Sequence, residues 1–249
     1  MTQYLYLLID LCCIAGPFIL SFHPKLNFYK NFRAVFIGIL SMMLLFILWD
    51  SYFTANDIWH FSDVYTLPAR LLLLPIEEWL FFICIPFACL FTYEVIVYYF
   101  PKGLSKIVSN AIAIILILIC LTICLVYHSH WYTFYATLGS ALLISYHLIR
   151  QTSYLGHFFI SYSLLQIPFF ISNGILTGLK FWNYSIINTQ NIEIADAVVY
   201  YNNNHNLQIR IWSVPLDDFF YGMTMILLSL TIYQWAKDYF SPNSANNAS

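Results

Sequence analysis

Residues 107–127 read IVSNAIAIILILICLTICLVY. No charged side chain interrupts these 21 positions. Wound as a helix they extend about 31 Å, which matches the hydrocarbon core of a bilayer. A helix that is apolar on every side has no face to turn to water, so this segment belongs in lipid. Working outward, six more apolar runs are bounded by polar or Pro-containing segments: Gln3–Phe22, Arg33–Phe53, Pro75–Phe100, Trp131–Ile149, Leu155–Leu176 and Pro215–Tyr239. The expectation is an all-α integral membrane protein of seven transmembrane helices. The first run contains Asp10, a Cys pair and Pro17, a poor match to a cleavable signal peptide.

Composition supports the same class. The chain is 61% hydrophobic, 20% aromatic and 9% charged, against about 45–50% apolar and 25% charged for soluble domains. A net charge of -2 leaves no basic patch for nucleic acid. The six cysteines lie in apolar stretches without metal-ligand spacing, so they read as small buried thiols. No GxGxxG or Walker-type loop occurs, which argues against a bound nucleotide cofactor. Lys25, Lys30, Arg33, Lys102, Lys106, Arg150 and Lys237 fall on one side of the spans, and only Arg70, Lys180 and Arg210 on the other. The positive-inside rule therefore predicts a multi-pass cell-membrane protein with its N-terminus outside and its C-terminus cytoplasmic.

The halves of the chain resemble each other. At an offset of 123, Asp50–Ser62 (DSYFTANDIWHFS) lies against Asn173–Ser185 (NGILTGLKFWNYS), matching Asp50 with Asn173, Thr54 with Thr177 and Trp59 with Trp182. The next helix begins Pro75-Ile76-Glu77-Glu78 in the first half and Pro215-Leu216-Asp217-Asp218 in the second. The second connection is longer, and an Asn-rich insertion around Tyr200–Asn206 accounts for it in this alignment. The predicted layout is a first three-helix repeat (1–104), a linking transmembrane helix (105–129), a second three-helix repeat (130–240) and a disordered tail (241–249). The linking span lets both repeats enter the membrane in the same orientation, giving a parallel repeat about the membrane normal.

A carboxylate in mid-span costs at least about 2.5–3.5 kcal/mol, so each one asks for a reason. Glu77-Glu78 and Asp217-Asp218 follow a Pro at a helix start, where acids ordinarily complement the helix dipole. Their occurrence at matching places in a repeat points beyond that role. Asp50 sits near the end of its span, where the dipole disfavours it, and its partner Asn173 cannot titrate. Asp10 and Glu94 read as interfacial or helix-packing acids, and His147 and Arg150 as snorkelling side chains. Carboxyls crowded in a low-dielectric site repel one another, and some can keep a proton at neutral pH, which supplies a general acid and a general base without a cofactor. Trp49, Trp59, Trp79, Trp182 and Trp212 accompany these acids, and aromatic faces stabilise nearby cations by roughly 0.5–2 kcal/mol each. Proton donors, aromatic walls and lipid access suit carbocation chemistry on an apolar polyene.

The residues that carry a family likeness are Pro75-Ile76-Glu77-Glu78 with Trp79-Leu80-Phe81-Phe82, the Trp49-Asp50-Ser51-Tyr52-Phe53-Thr54 stretch up to Trp59, and Val214-Pro215-Leu216-Asp217-Asp218-Phe219-Phe220. In these the chain resembles the membrane lycopene cyclase domains, in the form that fuses the two small subunits of some bacteria and that also begins the fungal bifunctional enzymes. The resemblance implies cyclisation of the ψ ends of lycopene to β rings, giving β-carotene by way of γ-carotene. An acid protonates C2 of the end group, the C5=C6 double bond attacks the C1 cation, and a base removes the C6 proton. The reaction is an isomerisation and implies no cofactor and no metal. Carried over by position, Glu77, Glu78, Asp217 and Asp218 are the acid/base candidates. The family pattern usually has Glu where this chain has Asp217. Asp50 joins them as a catalytic candidate, with Trp49, Trp59, Asn173 and Trp182 as candidates for binding lycopene or another apolar carotenoid.

Competing expectations are a cyclase of C50 carotenoids or one forming ε or γ rings, and, in a different class, a proton-coupled transporter. The transporter reading lacks matched spans broken by Gly or Pro. A retinal-binding receptor needs a Lys in mid-span, and the last span has only Lys237 near its end.

Overall fold

The structure, a computed structural model, describes residues 2–241 apart from 190, 191 and 193. Its frame is seven long helices: α1 (Leu5–Leu20), α2 (Phe32–Ala55), α3 (Ile76–Tyr99), α4 (Lys106–Val126), α5 (Trp131–Arg150), α6 (Leu155–Thr177) and α7 (Asp217–Tyr239). Each lies within a few residues of an apolar run read from the sequence. Six of them are long and apolar enough to cross a membrane. The exception is α5, whose inward face carries Thr133, Thr137, Ser140 and His147, all buried. Local bonds satisfy that polarity. Ser140 donates to the Phe220 carbonyl of α7 at 2.8 Å, and Thr137 donates to the carbonyl of Thr133 one turn back at 2.7 Å. His147 does not snorkel, because its ring is buried between the hydroxyls of Thr152 (3.1 Å) and Thr231 (2.9 Å).

Helix α7 is the most buried of the spanning candidates and packs against α2, α5 and α3. At its contact with α2, Gly38 faces α7. A Cβ at Gly38 would lie 2.7 Å from the Ser229 carbonyl oxygen and 3.1 Å from Tyr233 Cβ. Small residues let helix backbones close up in this way, which matters in lipid because dispersion replaces the hydrophobic effect as the packing force. At the same end of these helices Glu94 of α3 accepts from Tyr233 (2.7 Å) and pairs with Lys237 (2.6 Å). That fulfils the helix-packing role expected of Glu94.

The connections depart from an all-α picture. Short strands β1 (Trp59–Phe61), β2 (Arg70–Leu71), β3 (Leu74–Pro75), β4 (Ile187–Asn188), β5 (Val199–Tyr201), β6 (Arg210–Ile211) and β7 (Val214–Pro215) gather where α2 and α6 end and α3 and α7 begin. Hairpin β2–β3 pairs Arg70 with Pro75, and hairpin β6–β7 pairs Arg210 with Pro215. β4 extends the second hairpin. Two-residue hairpin loops need positive φ, and here Leu72 (52°), Leu73 (68°) and Trp212 (53°) supply it without glycine. Such backbone strain costs on the order of 1–3 kcal/mol per residue and persists only where neighbours hold it. Trp79 Nε1, donating to the Leu71 carbonyl at 3.2 Å, is one such restraint.

Strands β1 and β5 join the two connections. They run antiparallel, with Trp59 opposite Tyr201, His60 opposite Tyr200 and Phe61 opposite Val199. β1 and β5, like the two hairpins, are 140 residues apart. The additional length of the second connection therefore lies between Thr177 and Val199, rather than around Tyr200–Asn206. Residues 242–249, which hold nearly all of the tail expected to be disordered, lie outside the described residues.

Candidate active site

Each acidic pair begins a helix, and successive helical residues point about 100° apart. The two members of a pair therefore serve different surroundings. Glu77 turns back toward its own hairpin and accepts the Leu67 amide at 2.7 Å. Asp217 does the same with the Leu207 amide, at 3.3 and 3.1 Å to its two oxygens, and also accepts from the Thr133 hydroxyl. In both cases the bond reaches ten residues back, and both carboxyls are fully buried. These two acids clasp the connections to the helices.

The second acids point the other way, into a cavity of about 640 Å³ bounded by α1, α3, α6 and α7 with β1 and β5 above it. Glu78 accepts from the Tyr6 hydroxyl at 2.6 Å and lies in hydrogen-bonding reach of Asp50. Asp50 in turn accepts from Tyr221 at 2.7 Å. Asp218 accepts from Tyr132 at 2.6 Å, from Asn173 at 2.6 Å and from Tyr201 at 3.1 Å. Glu78, Asp50, Asp218 and Asn173 all line the cavity, so the structure brings these expected residues together. Glu77 and Asp217 stand behind them.

The rest of the wall is apolar and rich in rings. Trp59 lines it, held by a 3.1 Å bond from its indole N–H to Thr54 Oγ1, with ring centroids 5.1 Å from Tyr132 and 6.0 Å from both Tyr201 and Tyr221. Trp49 packs one layer back, 5.5 Å from the Tyr221 ring. Trp182 does not join them. It sits on the short 3-10 turn Phe181–Asn183 with 62% of its surface exposed. The offset that matched it with Trp59 fails because β5, not this turn, pairs with β1. On the side bounded by α1 and α6 the cavity reaches the outer surface of the bundle, where Leu8 and Ile171 line it while 53% and 54% exposed.

Four tyrosines and two charged residues, none of them assigned to the site from the sequence, stand in or beside it. Tyr6, Tyr132, Tyr201 and Tyr221 are the donors described above, and nothing in the sequence distinguishes them among 20 tyrosines. Burial and the Asp218 carboxylate push the Tyr201 phenol well above its ordinary value, which keeps it a donor. Arg210 is 97% buried, with Nη1 donating to the Ser213 carbonyl (2.6 Å), Nη2 donating to Asn203 Oδ1 (2.9 Å), and the guanidinium 5.8 Å from the Tyr201 ring centroid. Burial lowers its pKa from the ordinary guanidinium value, and the charges of Asp218 and Asp217 oppose that shift. Asp10 is packed among the helices, fully buried, with neither oxygen finding a hydrogen-bond partner among the described residues, and electrostatically close to Glu78 and Glu77. Among the described residues no three His, Cys, Asp or Glu side chains gather in a way that could hold a metal ion.

The arrangement can hand a proton to an apolar molecule, surround a cation with ring faces and take a proton back. A sequence model of the family described as Lycopene cyclase matches residues 3–96 and 129–236, the two stretches that flank α4. No curated protein and no solved structure matches the chain.

Proposed function

The chain belongs to the lycopene cyclase family, and from that premise we propose that it closes the ψ ends of lycopene into β rings, giving γ-carotene and then β-carotene. One observation carries this reading: three carboxyl side chains, Glu78, Asp50 and Asp218, face into a single aromatic-walled cavity that reaches the lipid-facing surface. A cavity carboxyl protonates C2 of the end group. The C5=C6 electrons close the C1–C6 bond, and a cavity carboxylate removes the C6 proton to restore the double bond. Atoms and electrons balance within the substrate, so the enzyme is an isomerase and the reaction calls for no redox partner. The rings of Trp59, Tyr132, Tyr201 and Tyr221 stabilise the passing cation, each by roughly 0.5–2 kcal/mol.

In the same reading the chain comprises two parallel three-helix units, 1–104 and 130–240, joined by the span at 105–129. The ten-residue bonds at Glu77 and Asp217, the pairing of β1 with β5 and the two stretches matched by the family all support that layout. All seven helices cross the membrane, with the N-terminus and the acidic site toward the outside, as the distribution of Lys and Arg favours.

Expression in a host that accumulates lycopene tests the proposal. The expected pigment is β-carotene, identified by chromatography and absorption spectrum. Correctly inserted protein with unchanged lycopene overturns it, and ε rings, γ rings or activity confined to C50 substrates would replace the β assignment.

A further inference from the structure

Glu78 and Asp218 differ in a way their matching positions conceal. Glu78 and Asp50 lie within hydrogen-bonding reach of each other, and Tyr6 and Tyr221 donate to them at 2.6 and 2.7 Å. Two carboxylates cannot share such a contact without a proton between them. At Asp218 the place of the second carboxyl is taken by Asn173, whose amide donates at 2.6 Å. Tyr132 and Tyr201 add two further donors at 2.6 and 3.1 Å. Three donors suit an acceptor-only carboxylate. Behind Tyr201 lies the guanidinium of Arg210, buried and without a carboxylate partner among the described residues, whereas Arg70, 140 residues earlier, is paired with Asp63.

We infer that the two halves divide the chemistry: Glu78, sharing a proton with Asp50, is the acid, and Asp218 is the base, so one cavity processes one end of the polyene at a time. The inference rests on the cyclase reading. Glu78 gives its proton to C2 as the C1=C2 electrons form the new C–H bond. The C5=C6 electrons then form the C1–C6 bond and leave the positive charge at C5. Asp218 takes the proton from C6, and those electrons become the ring double bond. One proton is given and one is taken per ring. Asp50 acts through Glu78 as a positioning residue that keeps the proton available.

Turnover in D2O with membrane-inserted full-length protein separates these roles, because reversible protonation at C2 writes deuterium into lycopene. Wild type is expected to place one deuterium in each ring. Asp218→Asn is expected to lose formation of the β ring by at least about a hundredfold, while the recovered lycopene gains deuterium or the residual cyclic product carries its ring double bond at a displaced position. Glu78→Gln and Asp50→Asn are expected to show a comparable loss and to return lycopene free of deuterium, with Asp50→Glu restoring incorporation. Deuterated lycopene from Glu78→Gln, or unlabelled and unrearranged lycopene from Asp218→Asn and from its smaller companion Asp218→Ser, overturns the assignment. So does wild-type ring formation by Asp50→Asn. A wild-type protein that forms no ring fails the cyclase reading instead, which keeps the two failures apart.

Discussion

Asp217 accepts the backbone amide of Leu207 on both carboxylate oxygens, at 3.3 and 3.1 Å, although ten residues separate them. The bond fixes the second hairpin onto the start of α7, so this acid acts on architecture while its neighbour Asp218 faces the cavity.

Asp217→Ala leaves the Leu207 amide and the Thr133 hydroxyl without an acceptor in a buried setting. Hydrogen bonds to charged groups contribute about 1.5–3 kcal/mol each, so a loss on the order of 3 kcal/mol is expected. Glu77→Ala should act in the same direction through Leu67. Thermal unfolding in detergent should report lower midpoints for both. An unshifted midpoint in both variants, together with lost turnover, would return these acids to the chemistry.

Tyr201→Phe keeps the ring over the cavity but removes one donor from Asp218. Turnover should fall about tenfold, the equivalent of about 1.4 kcal/mol, while the protein remains folded. Initial rates on lycopene in reconstituted membranes provide the measurement, and a rate within twofold of wild type contradicts the role given to this hydroxyl.

Gly38→Ala pushes a methyl into the Ser229 carbonyl oxygen of α7, only 2.7 Å away. Backbone cannot rotate aside as a side chain can, so the expected cost is about 1–3 kcal/mol. A midpoint lower by about 5 °C is the predicted reading, with the site residues themselves untouched.

Trp182→Ala should leave ring formation within about twofold of wild type, since the side chain is 62% exposed and absent from the cavity wall. Surface changes of this kind are usually within about 0.5 kcal/mol. A strong loss of activity would show that residue 182 reaches the substrate after all.

A time course with limiting enzyme should show monocyclic γ-carotene rising before β-carotene, because Glu78, Asp50 and Asp218 all serve the one cavity. Direct appearance of the bicyclic product, with no free intermediate at excess lycopene, would require both ends to be closed in one encounter.

Much of this architecture was legible in the residues. Long uncharged runs such as 107–127 dictate helices by their inability to face water, and the Pro-preceded acidic pairs mark where α3 and α7 start. The strands were not legible, because two-residue pairings such as β2 and β3 are too short to carry an alternating pattern. Which acid of each pair faces the cavity also depends on helix phase relative to neighbours, and no local rule supplies that. Trp182 was matched to Trp59 by counting along the chain, but cross-strand pairing of β1 with β5 sets a different register. The partners of Asp218 come from α5, α6 and β5, separated by up to 86 residues, and a choice among so many tyrosines needs the fold.

The cavity reaches the surface along the flank of α1 and α6, where Leu8 and Ile171 are exposed. On the membrane-spanning reading, a ligand arriving there travels by two-dimensional diffusion within the leaflet. Its effective concentration is then its solubility in hydrocarbon, so lipid packing and acyl-chain order set the supply of substrate as directly as its synthesis does. On the proposed reading, product and reactant leave and arrive through that same solvent, so accumulated product competes with substrate for the cavity.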